Sequence, residues 1–417
     1  MSKNNSKRIL FLTHYFPPES NAPASRVYEM TKRWVAAGHD VTVLTCAPNV
    51  PNGIVYEGYK NKFRQTELID GINVIRVWSY MAANKGTLRR TLNYLTYMLS
   101  AIFWGLFVKK PDVIIATSPQ FFCGWAGVWL KRLRRVPFIL EIRDIWPETV
   151  VAIGAIKNRN LLRLFEWLEI KMYKASDIIV TVGEGYRQKL LERNVSSKKI
   201  VIVSNGADLN FFKPSDPDSQ LLESIGIKDK FICSFIGTVG MCSGLKVIVD
   251  AAKLLSQKGY SELVFLVVGD GAVRQELQAE SEKLKLSNIV FTGRRPKIEM
   301  PKFIASSDVC LAHLQKKDLF KTVIPSKIFE AAAMAKPIVL GVEGFAAKLL
   351  NEAKAGICIE PENYVELADA LILLYEDPNR KTQYGQSGYS YVLKNFNRDK
   401  LAKDYLNTIE CLVGMGK

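Results

Sequence analysis

Short apolar runs alternate with amphipathic stretches along the whole chain. In the first half, 9–13, 41–46, 72–77, 113–117, 138–142, 178–181 and 200–203 are rich in Val and Ile and read as strands. Among the stretches between them, 25–37 and 161–175 repeat apolar positions at helical spacing, which predicts helices with one buried face. The pattern then restarts, with strands at 231–236, 264–268, 289–291, 309–312, 338–340 and 357–359. A strand that is apolar at nearly every position is buried on both sides, so this alternation predicts parallel sheets covered by helices. The fold class is α/β, with two Rossmann-like doubly wound domains. Asn205-Gly206 and Pro214 are chain breakers and mark the boundary. The expected division is a first domain over 1–204, a linker over 205–214, a second domain over 215–395, and a C-terminal helix in 396–417 that packs back on the first. Open sheets of this kind take ligands beyond the carboxyl ends of their strands, which predicts a shared site in a cleft between the domains.

The loop after the first strand, 14–24, contains no glycine, and no G-x-x-x-x-G-K-[ST] occurs anywhere. A nicotinamide or flavin fingerprint and a P-loop are therefore excluded. Seven scattered cysteines without C-x-x-C spacing, and only three histidines, argue against a disulfide framework and a structural zinc site. With 48% hydrophobic residues the 417-residue chain can bury two cores. Its net charge of +16 is confined: residues 1–214 hold 31 Lys and Arg against 16 Asp and Glu, whereas 215–417 hold 26 against 25. A nucleic-acid coat would not be restricted in this way, and no recognised nucleic-acid module is present. The first half is expected to face something anionic.

Residues 91–108 carry no charge, follow Arg89 and Arg90, and precede Lys109 and Lys110. Another apolar stretch with Trp125 and Trp129 runs into Lys131, Arg132, Arg134 and Arg135. A spanning helix needs about 20 apolar residues, and a strand begins at 113, so spanning is not favoured. Two readings stay open. One is a helix lying on a membrane, with Trp104 and the other aromatics at headgroup depth and the basic residues reaching anionic lipid. The other is a buried helix with solvated basic ends.

Pro17-Pro18, the 38–45 stretch, Asn205-Gly206-Ala207-Asp208 with Phe212, Gly237-Thr238-Val239-Gly240, Gly269-Asp270-Gly271 and the 325–338 segment PSKIFEAAAMAKPI together resemble the family 4 glycosyltransferases. The last segment and Arg143-Asp144-Ile145-Trp146-Pro147-Glu148 resemble the branch that makes bacterial O-antigen and capsule sugars, including fucosamine transferases. The resemblance implies a GT-B architecture with a UDP-sugar donor on the second domain and the acceptor on the first. It implies retention of configuration and neither metal nor other cofactor. The basic first half and its apolar helix further predict a membrane-bound, anionic acceptor; a saccharide on undecaprenyl diphosphate fits, presented at the cytoplasmic face of the bacterial inner membrane. The donor would be a UDP-sugar such as UDP-L-FucNAc.

The residues support a donor site directly. Pro325 suits the first turn of a helix. The open amides of Ser326, Lys327 and Ile328 are then expected to face a diphosphate, with Lys327 adding charge. Glu330 lies one turn on and is placed to accept the ribose hydroxyls. The plain alternative is a surface Lys327–Glu330 pair. Gly237, Thr238 and Gly240 follow a strand and let backbone approach phosphate. Arg274 either reaches phosphate or is solvated, and Arg295 either edges the base or faces solvent. The family's paired glutamates would need an acid at Thr322, and its basic residues near Thr238 and Ser243 are absent. Asp144 is expected to orient the donor sugar or acceptor, with Arg143 in support. Glu19, Arg26 and Glu148 are lesser acceptor candidates, with solvated loop charges as the alternative. No nucleophile pair of carboxylates is evident, so a same-face displacement is expected, in which a β-phosphate oxygen takes the acceptor's proton. A non-catalytic nucleotide-binding partner and a soluble nucleotide-sugar enzyme are the rival readings.

Overall fold

The computed structural model describes residues 6–19, 21–50, 52–82, 87–118, 121–146 and 158–415. It divides into two compact units, Met1–Ser204 with Asp399–Lys417, and Asn205–Arg398.

The first unit holds strands β1 (Arg8–Leu12), β2 (Asp40–Cys46), β3 (Arg64–Ile69), β4 (Ile72–Val77), β5 (Val113–Thr117), β6 (Phe138–Ile142), β7 (Ile178–Thr181) and β8 (Ile200–Ile202). They form one sheet in the order β3-β4-β2-β1-β5-β6-β7-β8. Every neighbouring pair is parallel except β3–β4. Strand β3 lacks an apolar run: its side chains alternate between exposed and half-buried, as an edge strand allows. Successive strand residues feed opposite cores. Leu10 and Leu12 face α2 (Thr87–Gly105), α3 (Phe121–Arg134), α4 (Arg159–Ala175) and α5 (Glu184–Glu192). Ile9 and Phe11 face α1 (Ala22–Ala36) and the C-terminal helix Arg398–Met415. That helix is held by Tyr405, fully buried edge-on against Trp34 at 5.1 Å, and by the Trp34 indole donating to the Ala402 carbonyl at 3.0 Å. Asn21 caps α1 by accepting from the Ala24 amide at 2.9 Å.

In the second unit β9 (Phe231–Ile236), β10 (Leu263–Val268), β11 (Ile289–Gly293), β12 (Val309–His313), β13 (Ile338–Gly341) and β14 (Gly356–Cys358) form a wholly parallel sheet, ordered β11-β10-β9-β12-β13-β14. The helices of this unit that bear on the site are α6 (Lys246–Gln257), α7 (Arg274–Lys283) and α8 (Lys327–Ala333). Strand order reverses at β1/β5 in the first sheet and at β9/β12 in the second. Such switch points leave a crevice at the carboxyl ends, because the flanking helices depart to opposite faces.

Candidate functional site

In the second unit the crevice at β9/β12 is a small cavity lined by Ser234 and Ile236 of β9, Cys310 and Ala312 of β12, and Lys327 and Glu330 of α8. Its interior of about 20 Å³ is room for one water-sized group. Lys327 reaches inward, with its ammonium 3.4 Å from the centre of the Phe235 ring. Burial lowers its pKa to about 7, against the opposing influence of Glu330 and Cys310. Burial also raises the pKa of Glu330, opposed by Arg398, Lys297 and Lys327. Among the described residues Lys327 and Glu330 form no ion pair; both line the cavity and are shielded by burial, so they are not a pair on the open surface. The Ile328 amide closes on the Pro325 carbonyl at 3.2 Å and is not available to a ligand. Among the described residues, Ser326 and Lys327 keep the open amides of that turn.

The glycine turns converge on the same place. Gly237 follows β9 with φ +144°, and a Cβ there would lie 3.3 Å from the Lys327 ammonium. Gly269 follows β10 with φ +143°, and a Cβ there would overlap the Gly237 carbonyl oxygen. Backbone bonds from Gly237 N to Val268 O and from Val239 N to Asp270 O lace the two turns together, at 2.9 and 3.0 Å. Gly240 begins the short turn Met241–Ser243, whose Ser243 hydroxyl donates to the Thr238 carbonyl at 3.1 Å. Thr238 itself is exposed.

Buried His313, at the end of β12, locks this turn and was not singled out from the sequence. Its Nδ1 lies 2.8 Å from the Ser243 carbonyl, and its Nε2 accepts from the Glu362 amide at 2.8 Å. Burial lowers its pKa, and the pattern is that of a neutral ring protonated on Nδ1. The only signal available beforehand was its rarity, one of three histidines.

Arg274 is tied to Asp270 at 2.8 Å and to Gln278 at 3.2 Å, at the start of α7. It is half-buried there. Arg295 is exposed on the loop after β11. Thr322 is half-buried, with its hydroxyl donating to the Leu319 carbonyl at 3.1 Å.

In the first unit, Arg143 and Asp144 follow β6 beside the β1/β5 switch point. The Arg143 amide donates to the Ser118 hydroxyl at 3.1 Å, which in turn donates to the Asp144 carbonyl at 3.5 Å. The Arg143 Nε and Nη1 are buried without a hydrogen-bond partner, and burial lowers its pKa to about 10. His14 is also buried, ringed edge-on by Tyr15, Tyr94 and Tyr97, and burial lowers its pKa to about 4. It is a neutral packing imidazole.

Residues 21–206 match the model of the glycosyl transferase 4-like domain, and residues 219–391 match that of glycosyl transferases group 1. The chain belongs to the family 4 glycosyltransferases. It is 24% identical to the putative colanic acid biosynthesis glycosyl transferase WcaI of Escherichia coli K12, over 96% of this chain and 99% of that one. It is 25% identical to the UDP-Gal:alpha-D-GlcNAc-diphosphoundecaprenol alpha-1,3-galactosyltransferase of E. coli, over 70% and 74%. Among solved structures, Anabaena Alr3699/HepE in complex with UDP superposes with a TM-score of 0.72 at 15% identity, covering 97% of this chain and all of that one. The GT-B fold class is thereby shown.

Several residues considered for the acceptor are built into this transferase's own framework. Arg26 is buried against Glu141 at 3.3 Å and donates to the Val203 and Ser204 carbonyls at 2.8 and 3.1 Å. Glu19 is buried, accepting from the Asn49 and Val50 amides at 3.0 and 3.1 Å, and burial raises its pKa. Neither is a solvated loop charge and neither is free for an acceptor. Arg134 caps the end of α2, donating to the Leu106 and Val108 carbonyls. Trp125 is half-buried against the core, and Trp104 donates to the Phe63 carbonyl at 3.0 Å. Arg90 is half-buried, with its guanidinium 5.9 Å from the centre of the Tyr94 ring. Arg89, Arg132, Arg135 and Trp129 remain exposed. Glu148 lies outside the described residues.

Proposed function

We propose that this transferase moves a sugar from a UDP-sugar to a saccharide carried on undecaprenyl diphosphate, with retention, during assembly of a bacterial surface polysaccharide. The observation that carries the reading is the convergence, at the second switch point, of the Lys327 ammonium with the Gly237 turn, which the Gly269 turn interlocks, and of Glu330 one turn along the same helix. Ser326 and Lys327 amides and the Lys327 ammonium supply positive charge for a leaving diphosphate, and Glu330 accepts ribose hydroxyls. With a cation supplied by the chain, departure of the nucleotide proceeds without a metal. The bond from the anomeric carbon to the β-phosphate oxygen breaks as the acceptor hydroxyl attacks the same face, and that oxygen takes the hydroxyl proton. Asp144 and Arg143 orient the acceptor in the first unit. The relatives' names support a surface-polysaccharide setting and an undecaprenyl carrier, and the UDP complex of a structural neighbour supports the nucleotide. An N-acetylated deoxyhexosamine such as L-FucNAc is the proposed donor sugar, and the inner membrane's cytoplasmic face the proposed location.

The test is a panel of UDP- and GDP-sugars incubated with bacterial membrane extract in the presence of a chelator. Mass spectrometry should find one hexosamine added to a lipid-diphosphate saccharide, with release of UDP. Absence of product and of nucleotide release with every donor overturns the proposal, and UDP binding by calorimetry without any turnover favours the non-catalytic nucleotide-binding partner.

A further inference from the structure

We propose that the chain docks on an anionic phospholipid bilayer through the outer face of α2, α3 and α4 together, with α4 supplying an apolar edge of its own. This deepens, and rests on, the reading of the acceptor as lipid-linked. The three helices lie side by side on one face of the first sheet. A Cβ on Gly105 of α2 would press on Leu130 of α3, and Phe121 of α3 meets Phe165 of α4 edge-on at 5.6 Å. Their inward residues, among them Tyr97, Ala126 and Met172, share a single core.

The outward residues are apolar at helical spacing. Leu99 and Phe103 on α2, with Phe107 in the turn beyond, lie four residues apart, as do Trp129 and Leu133 on α3. On α4, Leu161, Leu164 and Trp167 lie three apart, and Leu164 and Trp167 are 50% and 55% exposed. Basic side chains rim these stripes. Stretches 87–110, 121–135 and 158–175 each hold four Lys or Arg, and among all three the acids are Glu166 and Glu169. Glu169 is buried against Arg193 and the Tyr173 hydroxyl. Two cations sit over exposed indoles: Arg132 over Trp129 at 5.6 Å and Lys171 over Trp167 at 5.4 Å. An indole with a cation on its face suits the headgroup layer, where the ring enters the acyl boundary and the charge stays with phosphate.

The opposite face of the same sheet serves as an internal control. Helix α1 and the C-terminal helix expose no large apolar side chain among the described residues. Together they hold six Lys or Arg against four Asp or Glu. Solvent exposure alone therefore does not explain the apolar, basic character of the α2–α4 face. No helix of the described residues is long and apolar enough to cross a bilayer, so the face lies on the surface. A second copy fits poorly, because a symmetric pairing would set one strongly basic face against itself.

The test is co-sedimentation of the full chain with vesicles of phosphatidylcholine alone and with one quarter phosphatidylglycerol. Binding is expected only to the anionic vesicles and should weaken with salt. The double variant Leu164→Glu/Trp167→Glu should lose at least tenfold in partitioning, while Lys403→Glu on the opposite face keeps wild-type binding. An unchanged melting temperature shows that the double variant is folded, because both side chains lie outside the core. Equal binding by the α4 variant and the wild type overturns the proposal, as does equal binding to neutral vesicles or none to either. A wild-type dimer in sedimentation that Trp167→Glu dissociates overturns it in favour of self-association. The assay contains neither nucleotide nor saccharide, so failure of docking and failure of glycosyl transfer are read separately.

Discussion

Lys327 turns donor binding into a pH-dependent equilibrium. With its pKa lowered to about 7 by burial, about half of the free protein carries the ammonium at pH 7, and about a tenth at pH 8. A bound diphosphate at this site favours the charged form and restores the pKa upward, because an anion within a few ångströms outweighs the desolvation that depressed it. Only the protonated fraction then binds tightly, so affinity for UDP falls about tenfold from pH 7.5 to pH 8.5, or about 1.4 kcal/mol. Over that range the nucleotide's own phosphate is already ionised and adds no slope. Calorimetry in buffers of different ionisation enthalpy should record uptake of about half a proton at pH 7 and nearly one at pH 8. Lys327→Met should bind weakly, with a flat profile and no proton uptake. Stability moves the other way. The unfolded chain, with an ordinary lysine, binds the extra proton from about pH 7 to about 10.5, so this group's burial penalty shrinks as pH rises through that window. Lys327→Met should therefore raise the melting temperature most at or below pH 7. A wild-type affinity for UDP that is flat from pH 7 to 8.5, with no proton taken up, refutes the reasoning.

Glu330→Ala should weaken UDP by about 2 kcal/mol, the worth of hydrogen bonds to a carboxylate. The variant should bind 2′-deoxyUDP as well as UDP, whereas the wild type prefers the ribose form in calorimetry. Arg26→Met leaves the buried Glu141 carboxylate without its cation, keeping the Thr117 hydroxyl at 3.1 Å, and denaturant unfolding should show a loss of about 3–5 kcal/mol. The double variant Arg26→Met/Glu141→Leu should recover most of it. Tyr405→Ala empties a fully buried site against Trp34 and should cost about 3–5 kcal/mol, read as a lowered urea midpoint.

What the sequence disclosed depended on whether the physical cause was local. Strands β4, β5, β6, β7 and β9 were legible to the residue because burial on both faces leaves an uninterrupted apolar run. Strand β3 escaped because an antiparallel edge strand buries little and so leaves the composition RQTELI. The donor turn was legible because Pro325, Ser326, Lys327 and Glu330 fall within six residues, although the helix opens at Lys327 with Ser326 as its cap and Pro325 just before it. The depth of Lys327 was not, because Phe235 stands 92 residues earlier, and the role of His313 depends on Ser243 and Glu362.

Arg26 shows how a non-local cause leaves a readable trace. A charge near the start of a helix looks solvated, but its partner Glu141 interrupts the otherwise apolar run FILEI of a doubly covered strand. A carboxylate at such a position needs a buried cation or donor, because leaving it unpaired costs more than most single contacts return. The odd residue within a strand therefore asks for a distant complement, even when the complement itself looks ordinary. The same logic applies in reverse to α4. Its apolar positions predicted a buried face, but they outnumber what one face can bury. Leu161, Leu164 and Trp167 are the surplus, and a surplus of large apolar groups edged by cations, kept at the surface of a well-packed domain, calls for a covering layer that is both apolar and anionic.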